Sequence, residues 1–408
     1  MSETEFALAL MVSGGLLTAA FVTTNLSRKL GLPSLLIYLA LGFFFGNGGD
    51  NDFLFDDPRL VERCAEVALG LILFKGGYEF RHELWKKPRV LAEGLGLALL
   101  GTVGTALCTA ALARAFLHWS WLEALLLGAV LSSTDAAAVF GVFSDSGIVT
   151  KDHSMEVLEI ESSTNDPLAY ALVVGLVAGL QGHQVSVVGF LGEVLIGLTM
   201  GVLVGAAVGL LMLGLGKLVG RSGQSTELLW LAVLTFALGA AEFASANPLI
   251  TAFSAGVVLS YHRSEEVEFW GPLVALSEVA LFLLLGLQVF PSSLMAYLGK
   301  GVLIALFLVF VSRPIAVFVV ASVFRSKPSR SLFLGWAGLR GASSIVFGLL
   351  PLIAGVSRGP EIFSVVFTVV VLSVLLQGTT LTTAARKLGM LDDSDPNPCR
   401  PSSSGERT

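Results

Sequence analysis

Long apolar runs follow one another along almost the whole chain and constrain its fold more than any other feature. A helix needs about 20 mostly apolar residues to cross the hydrocarbon core of a bilayer. Thirteen such runs, called segments 1 to 13, lie near residues 5–26, 33–46, 61–79, 89–116, 121–143, 155–180, 187–219, 226–243, 247–261, 271–290, 295–324, 331–356 and 361–386. Only 14% of the 408 residues are charged, against about 25% in soluble proteins. The sequence therefore predicts an all-α polytopic membrane protein with about 13 transmembrane helices.

Lys and Arg are distributed unevenly between the loops, and this asymmetry predicts the orientation of the chain. Short cytoplasmic loops collect positive charge. Of the 25 Lys and Arg residues, 17 lie in the odd-numbered loops and the C-terminal tail, five in the even-numbered loops and three inside segments. We expect an N-terminus outside the cell and a cytoplasmic C-terminus, in the cell (inner) membrane. The net charge of −6 and the lack of a basic arm argue against nucleic acid as a partner.

The sequence predicts one membrane domain and no appended soluble domain. Residues 1–391 are expected to form it, and the polar residues 392–408 a disordered cytoplasmic tail. Cys64, Cys108 and Cys399 are scattered and lack the spacing of a metal site. The sequence also lacks the Gly-x-x-x-x-Gly-Lys-Ser/Thr loop that binds ATP phosphates. We therefore expect no cofactor, and a function performed within the membrane segments.

Segment 5 places Ser132, Ser133, Thr134 and Asp135 in the middle of an apolar run. An ionisable side chain there costs roughly 2.5–3.5 kcal/mol on insertion scales and indicates a pathway or a binding site. Asp135 before a run of alanines is also typical of a helix N-cap, which is the plainer interpretation. Irregular backbone at this depth is tolerated only when it is buried in protein or lines a cavity. Asp135 is therefore compatible with both roles.

Segment 6 carries several acidic residues, and helical geometry separates them. Ser162 and Asp166 are four residues apart and share a face, whereas Glu161 lies about 140° around the axis from Asp166. Glu161 and Asp166 therefore do not belong to one compact site. Glu159 lies on nearly the same face as Asp166, about 10 Å nearer the cytoplasmic end, where it would line the approach. Asp166 is either an ion-binding carboxylate or a buried, hydrogen-bonded one.

Arg340 is a cation inside segment 12, within the run Gly338-Leu-Arg-Gly-Ala-Ser-Ser344. Its guanidinium stays charged and needs a partner; Glu161 is the candidate, in a structural ion pair. Arg313 in segment 11 is interpreted as a second paired, structural residue. The glycines and serines around Arg340 predict an interruption like that in segment 5. Because these segments are seven apart, segments 1–6 and 8–13 are expected to be inverted repeats whose discontinuous helices cross at mid-membrane.

Two motifs, Ser132-Ser-Thr-Asp135 and Glu161-Ser-Ser-Thr-Asn-Asp-Pro167, closely resemble those of the monovalent cation/proton antiporter superfamily, in particular NhaP-type bacterial sodium or potassium/proton antiporters. Further matches are Pro33, Leu73-Phe-x-Gly-Gly77, Gly286-Leu-Gln-Val289, Arg313-Pro314 and Gly338-Leu-Arg-Gly341. The resemblance implies a secondary antiporter, not an enzyme, that exchanges Na⁺ or K⁺ for protons by alternating access and serves pH homeostasis. It also implies a homodimer in which a six-helix core moves against a dimerisation domain.

The resemblance further implies roles for individual residues. Asp166 is expected to bind the cation or a proton in turn, with help from Thr134 and Ser162. Asn165 and Asp135 are expected to hold the crossing of the broken helices. Asn165, where some relatives carry a second aspartate, suggests electroneutral exchange of one cation for one proton.

Lys75 departs from the family pattern, because relatives often carry a carboxylate at this place in segment 3. A Lys75 side chain that faces the ion site would repel the cation and suggest an uncoupled cation channel or sensor on the same fold. Alternatively, its ammonium reaches the cytoplasmic side or pairs with Glu79 four residues later. The sequence leaves both interpretations open, and Lys75, like Glu159, is a pathway candidate.

Overall fold

A computed structural model describes residues 3–30, 33–46, 57–80, 82–146, 150–182, 186–219, 224–262 and 269–391, so the predicted tail of residues 392–408 lies outside the described part. Within this part the regular structure is helical, apart from one isolated bridge between Thr150 and Leu391. Its α-helices are α1 (Glu3–Leu30), α2 (Ser34–Phe45), α3 (Pro58–Tyr78), α4 (Pro88–Gly96), α5 (Thr102–Phe116), α6 (Trp121–Val130), α7 (Ala136–Ser146), α8 (Ser154–Leu180), α9 (Val187–Val219), α10 (Gln224–Phe243), α11 (Pro248–Leu259), α12 (Trp270–Leu287), α13 (Pro291–Phe307), α14 (Arg313–Phe324), α15 (Pro328–Trp336), α16 (Ala342–Ile353), α17 (Gly359–Ser373) and α18 (Thr379–Lys387).

Six continuous helical stretches in the described residues are long and apolar enough to cross a membrane, judged by length and composition. They are Pro88–Phe116, Val188–Leu218, Ser225–Phe243, Trp270–Leu287, Pro291–Phe324 and Gly359–Lys387. α3 and α8 have comparable lengths of 21 and 27 residues but carry several ionisable side chains. The all-helical fold is thus confirmed, whereas the count of thirteen transmembrane helices stays a prediction.

Large apolar side chains cover the outside of the long helix α9. Val188, Leu195, Leu203 and Leu210 are all exposed along its length. Soluble monomers rarely leave such an extended apolar surface open to water. This face of α9 is therefore suited to contact lipid or another membrane helix.

Segments 5 and 12 are both interrupted, as the sequence predicted. The first half-helix of segment 5, α6, ends at Val130, and α7 begins at Ala136. In segment 12, α15 ends at Trp336 and α16 begins at Ala342. The four half-helices therefore leave two short stretches of non-helical backbone inside the apolar part of the molecule.

The two interruptions satisfy each other's polar backbone groups. The Asp135 backbone N–H donates a hydrogen bond to the Leu339 carbonyl, with an N···O distance of 2.9 Å. Arg340 Nη1 donates to the carbonyls of Ser132 and Ser133, at 2.7 and 2.6 Å. Because a bilayer core offers no water to these groups, this contact allows both helices to break at the same depth.

Segments 4 and 11 contain π-helical turns, Leu97–Gly101 and Leu308–Ser312. The two segments touch through hydroxyl groups near these turns. The oxygens of Thr109 Oγ1 and Ser312 Oγ are 3.2 Å apart, and Ser312 Oγ also donates to the Thr105 carbonyl. Segments 4 and 11 are again seven apart, as in the expected inverted repeat, whereas a third π-turn, Val374–Gly378 in segment 13, has no counterpart in α8.

Gly341 should tolerate no larger residue, because Asp135 packs directly against it. A Cβ atom at Gly341 would lie 2.0 Å from Asp135 Oδ2, whereas one at Gly299 in α13 would meet nothing within 4 Å. We expect Gly341→Ala to destabilise the protein by about 1–3 kcal/mol, the usual cost of overpacking. Thermal unfolding of the detergent-purified protein measures this, with Gly299→Ala as control. Equal melting temperatures for both variants would contradict the close packing at the crossing.

Candidate functional site

Asp166 lies in α8, and its side chain faces the crossing of the two broken helices. The residue is only 8% exposed. Ser133 Oγ donates a hydrogen bond to Asp166 Oδ1, and Ser343 Oγ hydrogen bonds to Ser133 Oγ. The two serine hydroxyls are 2.7 Å apart. The site therefore combines α8 with both interruptions, since Ser133 lies in the first and Ser343 in the first turn of α16.

Thr134, Ser162 and Asn165 connect the interruption of segment 5 to α8. Ser162 Oγ donates to the Thr134 carbonyl at 2.7 Å and accepts from the Ala136 backbone N–H at 3.1 Å. Asn165 Nδ2 donates to Thr134 Oγ1 at 2.6 Å. These bonds hold the start of α7 against α8, in agreement with the role expected of Asn165. The roles of Thr134 and Ser162 as cation ligands stay predictions, because both hydroxyls already make protein contacts.

Asp135 has the cap geometry that its position before the alanines predicted. Its Oδ1 accepts a hydrogen bond from the Ala138 backbone N–H at 3.1 Å, which satisfies a free donor at the start of α7. Asp135 also lines the same cavity as Asp166. The structure thus brings the capping carboxylate and the proposed ion-binding carboxylate to one cavity.

The predicted ion pair between Glu161 and Arg340 is wrong, because Glu161 pairs with Arg313. Arg313 Nη1 and Nη2 lie 2.5 and 2.8 Å from the two carboxylate oxygens of Glu161. Both residues are buried, with exposed fractions of 1% and 2%. The two-point geometry suits a guanidinium and a carboxylate, and Arg313 directly follows the π-turn in segment 11. Arg313 is therefore the paired structural residue that the sequence suggested, with its partner now identified.

Arg340 instead serves the backbone at the end of α6. The last carbonyls of a helix have no intrahelical partner and carry partial negative charge. Arg340 binds two carbonyls of the non-helical stretch just beyond α6, those of Ser132 and Ser133, which likewise have no intrahelical partner. Its position in the unwound stretch of segment 12 brings it there. The sequence signal for this role was the occurrence of an arginine inside a predicted helix break.

A cavity of about 610 Å³ reaches Asp166 from one side of the molecule. Glu159 lines it, as expected for a residue on the approach to Asp166. Its other lining groups include Pro33 before α2, Glu79 after α3 and Thr382 in α18. These groups belong to helix ends for which the distribution of Lys and Arg predicts a cytoplasmic location.

Lys75 lines the same cavity, and its charge is balanced by a neighbour. Its Nζ atom lies 2.7 Å from Glu79 Oε2, so the predicted pair four residues apart is present. Glu278 on α12 also lines this cavity and lies within electrostatic reach of Lys75. Of the two interpretations left open by the sequence, the geometry favours the pairing with Glu79.

Asn247 lies beside the site and was not among the residues predicted from the sequence. Its Oδ1 caps α11 by accepting from the backbone N–H groups of Leu249 and Ile250. Its Nδ2 donates to the carbonyl of Pro167, the residue after Asp166, at 2.9 Å. An Asn-Pro pair before an apolar run is a recognisable helix start, but the contact with α8 needs the tertiary structure.

Comparison with known proteins gives consistent matches over most of the chain. The family model described as "Sodium/hydrogen exchanger, transmembrane" matches residues 16–387. The K⁺/H⁺ antiporter NhaP of Alkalimonas amylolytica is 34% identical over 404 residues, with 97% of this chain and 69% of the relative covered. The K⁺/H⁺ antiporter NhaP2 of Shewanella oneidensis is 34% identical over 391 residues, covering 91% and 66%. The chain thus spans about two thirds of the length of these relatives.

Two further matches extend the comparison. The Na⁺/H⁺ antiporter ApNhaP of Aphanothece halophytica is 26% identical over 419 residues, with 95% of this chain and 75% of the relative covered. Among solved structures, the sodium proton antiporter MjNhaP1 of Methanocaldococcus jannaschii superposes with a TM-score of 0.80 at 22% identity. That superposition covers 94% of this chain and 99% of MjNhaP1, and it shows a shared fold.

The pairing of Glu161 with Arg313 predicts a specific pattern of stabilities. Glu161→Gln and Arg313→Met should each lower the melting temperature, because breaking a buried pair costs about 3–5 kcal/mol in soluble proteins. The double variant should recover part of the loss, which a double-mutant cycle on the purified protein measures. Combining Glu161→Gln with Arg340→Met is the matched control and should give additive losses. Recovery in the control pair alone would support the pairing that the sequence first suggested.

Proposed function

The chain belongs to the sodium/hydrogen exchanger family and is a cation/proton antiporter of the NhaP type, and we propose that Asp166 is the group that holds the cation or the proton in turn. This family consists of transporters, so the protein is not an enzyme. The observation that carries the proposal is the charge balance around Asp166.

The positively charged side chains nearest to the crossing bind groups other than Asp166. Arg313 is paired with Glu161, Arg340 binds backbone carbonyls, and Lys75 is paired with Glu79. Among the described residues, no lysine or arginine forms a salt bridge with Asp166. A buried carboxylate without a counter-charge is strongly disfavoured. Asp166 must therefore be neutralised by an ion that enters the site, either a proton or a metal cation.

This requirement explains how opposite fluxes become coupled. One carboxylate neutralised by one proton cannot also hold a cation strongly, so binding of either ion favours release of the other. When the core moves, Asp166 is carried across the membrane more easily with a bound cation or proton, which makes the site neutral, than as a charged carboxylate. The reason is that burial of an uncompensated charge is costly. With neutral Asn165 beside Asp166, and with the Asp135 carboxylate engaged as the cap of α7, we propose electroneutral exchange of one cation for one proton.

The proposal also includes access to Asp166 from one side at a time. Glu159, on the approach, precedes Asp166 along α8, whereas Tyr170 follows it. Beyond Asp166, Tyr170 and Phe347 pack with ring centroids 5.9 Å apart, and a space of only 10 Å³ remains beside them. Such a space holds about one water molecule. The cavity on the Glu159 side would be open to the cytoplasm, given the predicted N-terminus outside and C-terminus inside the cell.

We propose a homodimer in the cell (inner) membrane, with residues 1–391 as the transporting unit. The extended apolar surface of α9 supports membrane embedding, and the loop charges support the orientation. The core is proposed to include α8 and the four half-helices of the crossing, because their polar contacts join them into one body. In this arrangement the core moves against helices such as α3 and α11.

The names of the relatives guide the choice of cation. Two relatives at 34% identity are named K⁺/H⁺ antiporters, and one at 26% is named a Na⁺/H⁺ antiporter. We propose K⁺ as the first cation to test and Na⁺ as the second. The alternative, an uncoupled channel or sensor, rested on an unpaired Lys75 charge that would repel the cation from the site. Because Lys75 is paired with Glu79, this argument no longer favours the alternative.

Asp166→Asn should abolish exchange, because it removes the titrating group and nearly preserves the side-chain volume. The measurement is proton movement out of acid-loaded proteoliposomes, followed with a pH-sensitive dye, on addition of K⁺, Na⁺ or Li⁺. Asp152→Asn is the control, since Asp152 is an exposed loop residue that pairs with Lys327. Cation-driven proton movement at the wild-type rate in Asp166→Asn would contradict the proposed role of Asp166.

Removing the Lys75–Glu79 pair as a unit should leave exchange almost unchanged. The double variant Lys75→Gln/Glu79→Gln keeps the net charge of the cavity wall, and neither side chain contacts Asp166 in the structure. We expect its cation affinity and its activity across pH to stay within about twofold of wild type, since partly exposed ion pairs contribute little. A gain in cation affinity of tenfold or more would show that Lys75 competes with the cation.

A further inference from the structure

Asn247 joins α11 to α8, the helix that carries Asp166, through its side-chain amide. Its Nδ2 donates a hydrogen bond to the carbonyl of Pro167 at 2.9 Å, and the residue is buried, with an exposed fraction of 5%. The side chains of Asn165 and Asp166, in contrast, bond to residues of the broken segment 5. Since α8 belongs to the proposed core and α11 to the helices against which the core moves, the Asn247 bond crosses the surface between them.

The oxygen end of the Asn247 side chain is fixed on α11. Its Oδ1 accepts hydrogen bonds from the backbone N–H groups of Leu249 and Ile250, at 3.0 and 3.1 Å. The Asn247 backbone N–H group donates to the Gly197 carbonyl of α9 at 3.0 Å. Because the amide oxygen faces two N–H donors, the amide nitrogen points the other way, where it needs an acceptor. Asn247 therefore presents a fixed donor to α8.

The place of this bond relates it to one conformation of the transporter. The large cavity reaches Asp166 from the Glu159 side, whereas the space of 10 Å³ on the far side is lined by groups that include Tyr170, Phe347 and Leu249. Leu249 lies in the first turn of α11, directly after the cap formed by Asn247. The bond is therefore beside the closed side of the molecule. Opening that side requires α8 to move away from the start of α11, which breaks the bond.

Resting on the proposed function, we infer that Asn247 is a positioning residue that stabilises the conformation open on the Glu159 side. Its acceptor is the carbonyl next to Asp166, so the bond fixes the position of the ion-binding carboxylate relative to α11. When the core moves, the buried amide loses this acceptor, and an unsatisfied buried donor is unfavourable. Asn247 acts through the backbone of α8 and does not itself bind the ion.

Asn247→Ser removes the bond to α8 and keeps the start of α11. Serine is also a good N-cap residue, but its side chain is too short to reach the Pro167 carbonyl. Loss of one hydrogen bond between neutral groups changes an equilibrium between two conformations by about fivefold. We expect the population open on the Glu159 side to fall by this factor relative to the population open on the opposite side.

Labelling of single cysteines measures the ratio of the two conformations. The three native cysteines are first replaced by alanine. One cysteine is then introduced, either as Ser163→Cys in the wall of the large cavity or as Leu350→Cys beside the small space. A membrane-impermeant maleimide is added to sealed vesicles from the side that each cysteine faces. The labelling rate at position 163 divided by that at position 350 should fall about fivefold in Asn247→Ser.

Thr251→Val is the matched control. The Thr251 hydroxyl donates to the Asn247 carbonyl at 2.9 Å, within the first turn of α11, and the residue is fully buried. This variant weakens the same helix start without removing the bond to α8. Its labelling ratio should stay at the wild-type value even if its melting temperature falls. An unchanged or increased ratio in Asn247→Ser, or an equal fall in Thr251→Val, would overturn the inference.

Asn247→Ala separates the bond to α8 from the helix cap. Alanine provides neither, so the melting temperature of this variant should lie below that of Asn247→Ser. The labelling ratio, in contrast, should be the same in both variants, because both lack the bond to Pro167. A ratio that follows the melting temperature from variant to variant would indicate general destabilisation of α11 and would contradict the positioning role.

Exchange by the wild-type protein separates this inference from the proposed function. Proton movement in proteoliposomes on addition of K⁺ or Na⁺ tests the function, and its absence would overturn that proposal. If wild type exchanges, a labelling ratio that does not depend on Asn247 would overturn the positioning role alone. The same holds if Leu350→Cys is not labelled in any of the proteins, because the side that Asn247 is inferred to keep closed would then not open.

Discussion

The mutual support of two broken helices is the constraint on which the rest of this structure depends. Non-helical backbone inside a bilayer must find its hydrogen-bond partners within the protein. Here the Asp135 N–H group binds the Leu339 carbonyl, and the Arg340 guanidinium binds the carbonyls beyond α6. The close approach requires Gly341, where a Cβ atom would overlap Asp135. Without this contact, neither interruption would be stable at mid-membrane.

The crossing also determines the electrostatics of the site. Arg313 is paired with Glu161, and Arg340 is held by two backbone carbonyls, so neither arginine forms an ion pair with Asp166. Asp166 is the group that these interactions leave for an ion from solution. A further lysine or arginine beside Asp166 would form a permanent ion pair with its carboxylate. Such a site would bind neither K⁺ nor a proton readily. The proposed transport therefore depends on the contacts of Arg313 and Arg340 as much as on Asp166 itself.

Polar contacts outside the crossing connect the site to its surroundings. Asn247 joins the start of α11 to the carbonyl of Pro167, directly after Asp166. On the other side of Asp166, Tyr170 packs against Phe347. Movement of the core against α3 and α11 would have to exchange the Asn247 contact for another, whereas the contact of Tyr170 with Phe347 lies within the proposed core. The proposed ion site and the proposed sliding surface at α11 are thus separated by only a few residues of α8.

The sequence by itself determined the membrane class and the two helix breaks and singled out Asp166 as a candidate, because apolar length, capping residues and buried charge are local properties of the chain. It also left the pairing of Lys75 as one of two stated alternatives. It misassigned the partner of Glu161, since Arg313 and Arg340 both offer a buried guanidinium and only the path of the backbone decides which one reaches it. The approach of Ser133 and Ser343 to Asp166 was decided by the tertiary structure alone. Residues 210 positions apart become neighbours only when two broken helices cross, and no spacing within either segment encodes that contact.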